Sequence, residues 1–208
     1  MLALDADTRD AMLNVFALRC FRDVADGDYI AARMAYRAEI LPQAYWATQQ
    51  ALEKYLKAIL LLQRIPQTNP THTLDLLLQK AEKQFPLKLM KGTREFIALI
   101  EAWDVDRYFI YPYGSNGGEI IELDRAVWDI RRYCVSYHQG SSSKQRHQKE
   151  LDLTHIENAV NHPPQRYRSL SPGFLDKVLR EKTNSARPAL IWNNMFFGAS
   201  RRQSVRMR

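Results

Sequence analysis

Apolar residues recur three and four apart along most of the chain, the spacing of one face of an α-helix. Met12, Leu13, Phe16, Cys20 and Phe21 predict a helix over 7–24, and Ile30, Met34 and Ala38 predict one over 28–41. Between them, Asp26-Gly27-Asp28 is expected to kink or interrupt the chain. Pro42 suits the first turn of the next helix, 42–63, where Ala51, Leu52, Tyr55, Leu56, Ile59 and Leu60 form a continuous apolar stripe. Further helices are expected from Thr71 or His72 onward, over 89–103 with Phe96, Ile97, Ile100 and Trp103 inward, and over 119–138. The last would bury Ile120, Leu123, Val127, Ile130, Cys134 and Tyr137. Gln139-Gly140-Ser141-Ser142-Ser143 reads as a helix stop and hinge. Beyond it, the pattern predicts a helix near 151–160 and another opened by Ser171-Pro172. The apolar run ARPALIWNNMFFG is expected to dock onto the body or a second subunit.

Composition agrees with this all-α reading. The 208 residues hold only eight glycines, and long stretches are rich in good helix formers. An all-α bundle over 1–138 and a helical extension over 139–208 is the expected organisation. Charge separates the same two parts. Residues 1–140 carry 17 basic and 18 acidic side chains, whereas 141–208 carry 13 and 5, so the excess positive charge lies in the extension. Its tail holds Arg201, Arg202, Arg206 and Arg208, which suit an anionic partner such as RNA. A solvated basic tail without a ligand is the plainer alternative. The two cysteines, the acidic start and the lack of a long apolar run suggest a cytoplasmic protein with reduced thiols and no membrane span. No metal-binding spacing, phosphate-binding loop or dinucleotide fingerprint is present, so no metal or cofactor is expected.

Within the third predicted helix, Gln49, Gln50, Ala51, Glu53, Lys54, Lys57 and Ala58 resemble the signature helix of the HEPN domain family. Thr71-His72 followed by Leu74, and then Arg107-Tyr108, resemble two further family features in the same order. The resemblance covers about residues 21–138. It implies an up-and-down helical bundle, commonly a homodimer, associated with nucleotides and RNA. Some members of the family are metal-independent ribonucleases in which four to six residues separate an arginine from a histidine. Others lack the histidine and accompany a nucleotidyltransferase domain or bind ligands.

Two places carry candidate chemistry. In RRYCVSYH, Arg131 and His138 are seven residues apart, about 20° from one another on a continuous helix. Arginine would stabilise a phosphorane and histidine would move the proton of a ribose hydroxyl, the kit of a ribonuclease toxin or defence factor. The alternative is a histidine placed at a helix end, where the dipole favours a cation. With 20 arginines and five histidines, a pair at such a spacing is also expected by chance. The family's own motif falls instead at RYFIYPY, where Arg107 is present and Pro112 stands at the histidine position. There Arg107, Tyr108, Tyr111 and Tyr113 suit phosphate and base stacking, or else packing of the loop with Arg107 on an acid such as Glu53. Gln50, Glu53 and Lys57 form a polar stripe that either binds a ligand or links helices, and His72 is either a ligand or a helix-start group. The expected function is therefore non-catalytic binding of nucleotide, RNA or a nucleotidyltransferase-type partner. Metal-independent RNA cleavage and a pure protein-interaction role are the alternatives.

Overall fold

A computed structural model describes residues 5–66, 71–105, 118–135 and 173–197. The elements among these are helical throughout: α1 (Ala6–Phe16), a π-helical turn (Ala17–Arg22), α2 (Asp23–Arg37), α3 (Leu41–Leu62), α4 (Leu74–Gln84), α5 (Lys91–Val105), α6 (Glu119–Arg131), α7 (Phe174–Arg180) and α8 (Arg187–Ile191). The expected all-α bundle with additional C-terminal helices is the fold observed. The predicted helix near 151–160 and the hinge at 139–143 lie outside the described residues.

Local chemistry sets the ends. The Asp5 carboxylate accepts the Thr8 backbone N–H at 2.8 Å and so caps α1. Pro42 occupies the first turn of α3, where its missing N–H costs nothing. At the other end of α3, Arg64 turns left-handed (φ 55°) and the Ile65 N–H closes onto the Leu60 carbonyl at 2.8 Å. The Arg64 side chain then reaches α1, donating to Asp10 Oδ1 at 3.1 Å and Asn14 Oδ1 at 3.0 Å.

α3 is the central rod and packs against α2, α4, α5 and α6. Leu52, Tyr55, Leu56, Ile59 and Leu60 on it are fully buried. Each such leucine is worth ~2–5 kcal/mol when cut to alanine.

Three expectations need correction. Asp26-Gly27-Asp28 does not interrupt the helix: α2 runs straight through it, and the irregularity lies earlier, in the π-helical turn. Asp26 stays helical because its carboxylate is bonded inside the core, as described below. The apolar residues of α1 and α2 do not all face inward either. Met12, Phe16 and Met34 are at least half exposed, and α2 buries Asp26, Tyr29, Ile30 and Arg33 instead. Finally, α6 ends at Arg131, not at His138; Arg132 and Tyr133 form a turn, with the Cys134 N–H bonded to the Arg131 carbonyl at 2.9 Å.

The C-terminal segment 173–197 is built into the bundle. Leu175, Val178, Leu190 and Phe197 belong to the same apolar core as α3. Asp23, Asp26, Ile30, Arg33 and Arg37 lie three and four apart, on one stripe of α2. The acidic end of that stripe holds the start of α7: Asp26 Oδ2 accepts the Leu175 N–H at 2.9 Å, and Asp23 Oδ1 accepts the Phe174 N–H at 3.4 Å. The basic end holds the finish of α8: Arg33 donates to the carbonyls of Ala189 and Trp192, and Arg37 stacks on the Trp192 ring at 5.1 Å. Unpaired helix N–H groups thus meet carboxylates, and unpaired carbonyls meet guanidinium groups. The approach is tightest at Gly173, where a Cβ would lie 2.6 Å from Arg22 Nη2 and 2.8 Å from Asp23 Oδ1.

Removing everything after Gly140 strips this cover from a charged stripe. Such a chain is expected to lose its cooperative thermal transition in calorimetry, whereas a chain ended after Gly198 keeps it.

Candidate functional site

α3 places two polar relays side by side on the bundle surface. In the first, Lys54 Nζ donates to Asp28 Oδ2 at 2.7 Å and to Gln50 Oε1 at 3.0 Å. In the second, Glu53 Oε1 accepts Lys57 Nζ at 2.6 Å and lies 3.0 Å from His72 Nδ1. Residues 50, 53, 54 and 57 fall on neighbouring turns of one helix, so the two relays share a face. The Glu53 carboxylate is buried, with a side chain 7% exposed, while the His72 ring is 81% exposed. A carboxylate therefore orients the imidazole from below through Nδ1 and leaves the Nε2 edge open to solvent. His72 is held there by its chain segment. The Thr73 N–H bonds to Thr71 Oγ1 at 3.1 Å, and the Leu74 N–H bonds to Glu101 Oε2 at 2.6 Å across from α5. Glu53 thus takes Lys57 and His72 as partners.

The arginine of RRYCVSYH has a different setting. Arg131 is 1% exposed and grips Asp26 with two parallel bonds, Nε to Oδ1 at 2.6 Å and Nη2 to Oδ2 at 2.8 Å. Tyr55 donates to the same Oδ1 at 2.6 Å. Desolvation pulls the Arg131 pKa down, but the attraction of Asp26 more than offsets it and leaves it raised. Burial, reinforced by Asp26, raises the Tyr55 phenol as well. These groups neither reach a surface phosphate nor exchange protons near neutral pH. The helical geometry that would align Arg131 with His138 is also missing, because α6 ends at Arg131.

Two further buried pairs were not legible as partners in the sequence. Arg33 meets Asp124, which also accepts Tyr29 Oη–H at 2.7 Å, and Asn194 donates to Tyr29 Oη at 2.7 Å. Burial pushes the Asp124 carboxyl up to about 6, against the pull of Arg33 and Tyr29. Arg132 meets Asp129 at 2.5 Å, and Asp129 Oδ2 also accepts Thr93 Oγ1–H at 2.8 Å and the Met90 N–H at 2.7 Å. The one signal for the first pair is the spacing of Asp26, Arg33 and Tyr29 on the inner face of α2.

Arg107, Tyr108, Tyr111 and Tyr113, His138, and Arg201, Arg202, Arg206 and Arg208 lie outside the described residues. Among the described residues, no cluster of His, Cys, Asp and Glu is placed to hold a metal ion. Nor is any helix there long and apolar enough to cross a membrane.

A family model for the HEPN domain matches residues 19–130. The chain belongs to the HEPN domain family. The match runs from the π-helical turn to the last full turn of α6 and takes in both surface relays. It excludes Arg131 and the whole docked segment 173–197, so this HEPN bundle completes its core with chain from beyond the family domain. No curated protein and no solved structure matches the chain.

The contrast between relay and core is measurable by urea denaturation. Lys57→Ala is expected to cost no more than ~1 kcal/mol, as a partly exposed pair does. Arg131→Ala, which strands Asp26 in the core, is expected to cost ~3–5 kcal/mol. A thiol reagent separates the two cysteines of this HEPN protein. Exposed Cys20 is expected to be alkylated in the native state. Cys134, whose thiol burial pushes up to about 12, is expected to react only after denaturation.

Proposed function

We propose that this HEPN-domain protein binds a nucleotide, an RNA or a nucleotidyltransferase-type partner without cutting it, acting as a cytoplasmic homodimer. The observation that carries the non-catalytic reading is the bidentate lock of Arg131 on Asp26, which spends the candidate catalytic arginine inside the core. The binding reading rests on the α3 face, where Lys54 and Lys57 are partly exposed and Glu53 positions the exposed His72 ring beside them. A phosphate and a ribose are the kind of ligand such a face suits. Arg107, Tyr108, Tyr111 and Tyr113 are proposed to add base stacking, and Arg201, Arg202, Arg206 and Arg208 to add phosphate contacts.

Fluorescence anisotropy with labelled single-stranded RNA tests this reading. Affinity is expected to fall linearly with the logarithm of salt concentration. The double variant Lys57→Ala, His72→Ala is expected to bind more weakly at every salt. Ending the chain after Gly198 is expected to flatten the salt slope by up to ~3, at ~0.7 for each of four arginines. In parallel, the RNA is expected to stay intact through prolonged incubation with chelator. Cleavage that disappears in a His138→Ala variant would overturn the non-catalytic reading in favour of a metal-independent ribonuclease of the toxin or defence type.

A further inference from the structure

Trp46 stands on the solvent side of α3 with its ring turned outward. It is 52% exposed, while Tyr45 beside it is buried and packs on Trp103 with ring centroids 4.1 Å apart. Helical spacing sets Trp46 in line with the surface relays: Gln50 follows one turn on, Lys54 two turns on and Lys57 three turns on. From Trp46 to Lys57 this line is about 16 Å long at the helical rise. The neighbours of Trp46 one turn away on the surface of α3 are Pro42, Gln43 and Gln50. The indole is thus framed by two amides and not by other large apolar groups. Lys54 Nζ holds Gln50 Oε1 at 3.0 Å, which leaves the amide N–H groups of Gln50 as the donors open to a ligand. The charges along the line nearly cancel. Lys54 is paired with Asp28 and Lys57 with Glu53, and Glu101 accepts the Leu74 N–H just past His72.

We propose that Trp46 is a stacking platform for one unpaired base of single-stranded RNA, whose strand runs on along α3 toward Lys57 and His72. The proposal rests on the RNA-binding reading above and names the group on this face that takes a base. The surroundings of the ring select the occupant. A partner helix or a lipid surface is held by contiguous apolar area, and a lone indole between amides provides none. A nucleobase needs a π-face to lie on and polar groups at its edge, and Trp46 with Gln43 and Gln50 supplies both. The balance of charge adds a second constraint. Each lysine on the line already has a carboxylate partner, so phosphate contacts there release few counterions. Attraction at this end of the face therefore comes from stacking, which depends little on salt. A duplex keeps its bases stacked on one another and has no free ring to offer.

Anisotropy of the full chain with a labelled single-stranded RNA, beside an abasic strand of the same length, tests the platform. Trp46→Ala is expected to weaken RNA binding by about 5- to 100-fold, the range for one stacked base. The loss is expected to be the same at every salt, with the salt slope unchanged, and Trp46→Tyr is expected to recover most of it. The abasic strand is expected to bind the wild type and Trp46→Ala alike. Because the position is exposed, both substitutions are expected to keep the thermal midpoint. A Trp46→Ala chain that binds RNA as tightly as the wild type would overturn the platform and leave the RNA reading standing. So would a loss that is equal with the abasic strand, or a Trp46→Tyr chain as weak as Trp46→Ala. A wild type that binds no RNA at low salt would remove the RNA reading and the platform together. Light scattering in which Trp46→Ala breaks a dimer, with RNA affinity kept, would assign the ring to a second copy instead.

Discussion

Asp26 is the point on which the rest of the fold depends. Its carboxylate is fully buried and receives four donors from three separate parts of the chain: two from Arg131 at the end of α6, one from Tyr55 on α3 and one from the Leu175 backbone at the start of α7. An ionised carboxylate taken out of water is costly unless its lone pairs are answered, and here they are. Because the answers come from distant parts of the sequence, the charge is satisfied in one arrangement of helices only. Apolar packing around Leu52 and Leu56 supplies cohesion, but cohesion tolerates many packings. The buried acid discriminates among them.

The same logic repeats at Asp124 and Asp129, each paired with an arginine and each bonded to a hydroxyl. Together the three acids tie α2, α3, α5, α6 and the C-terminal segment into one unit. Function is thereby divided by depth. Charged groups that bind the fold together lie inside and are paired. Lys54 and Lys57 on α3, and His72 beside them ahead of α4, are anchored by single acids that fix their positions without consuming them.

How far the sequence carried this picture depended on what each element must satisfy. The α3 stripe was plain, because a rod packed by four neighbours repeats apolar residues without a break. The family signature on it was equally plain, and Gln50, Lys54 and Lys57 share the surface side of the helix while Gln49 and Glu53 are buried. α2 misled, because its inner face carries Asp26 and Arg33, and a hydrophobic pattern cannot mark a buried charge whose partner lies about a hundred residues away. RRYCVSYH misled for the same reason. Spacing showed an arginine and a histidine seven residues apart, but not that Asp26 already held the arginine or that the helix stops there. ARPALIWNNMFFG was legible as a docking segment; its dock on α2, set by carboxylates at one end and guanidinium groups at the other, was not.

The π-helical turn between α1 and α2 also sets a phase. A turn of this kind holds about one residue more than an α-turn, which advances everything before it by about 100° around the axis. Traced back from Asp26 and Arg22 with ordinary α-helical periodicity, the inward positions of α1 would be Leu18, Val15 and Ala11. With the extra residue they become Ala17, Asn14 and Asp10, the ones seen facing the body. One residue of slack thus exchanges an apolar seam for a polar one. A single deletion within 17–22 would turn α1 back into register, bury its apolar side and leave Arg64 facing alanine and valine.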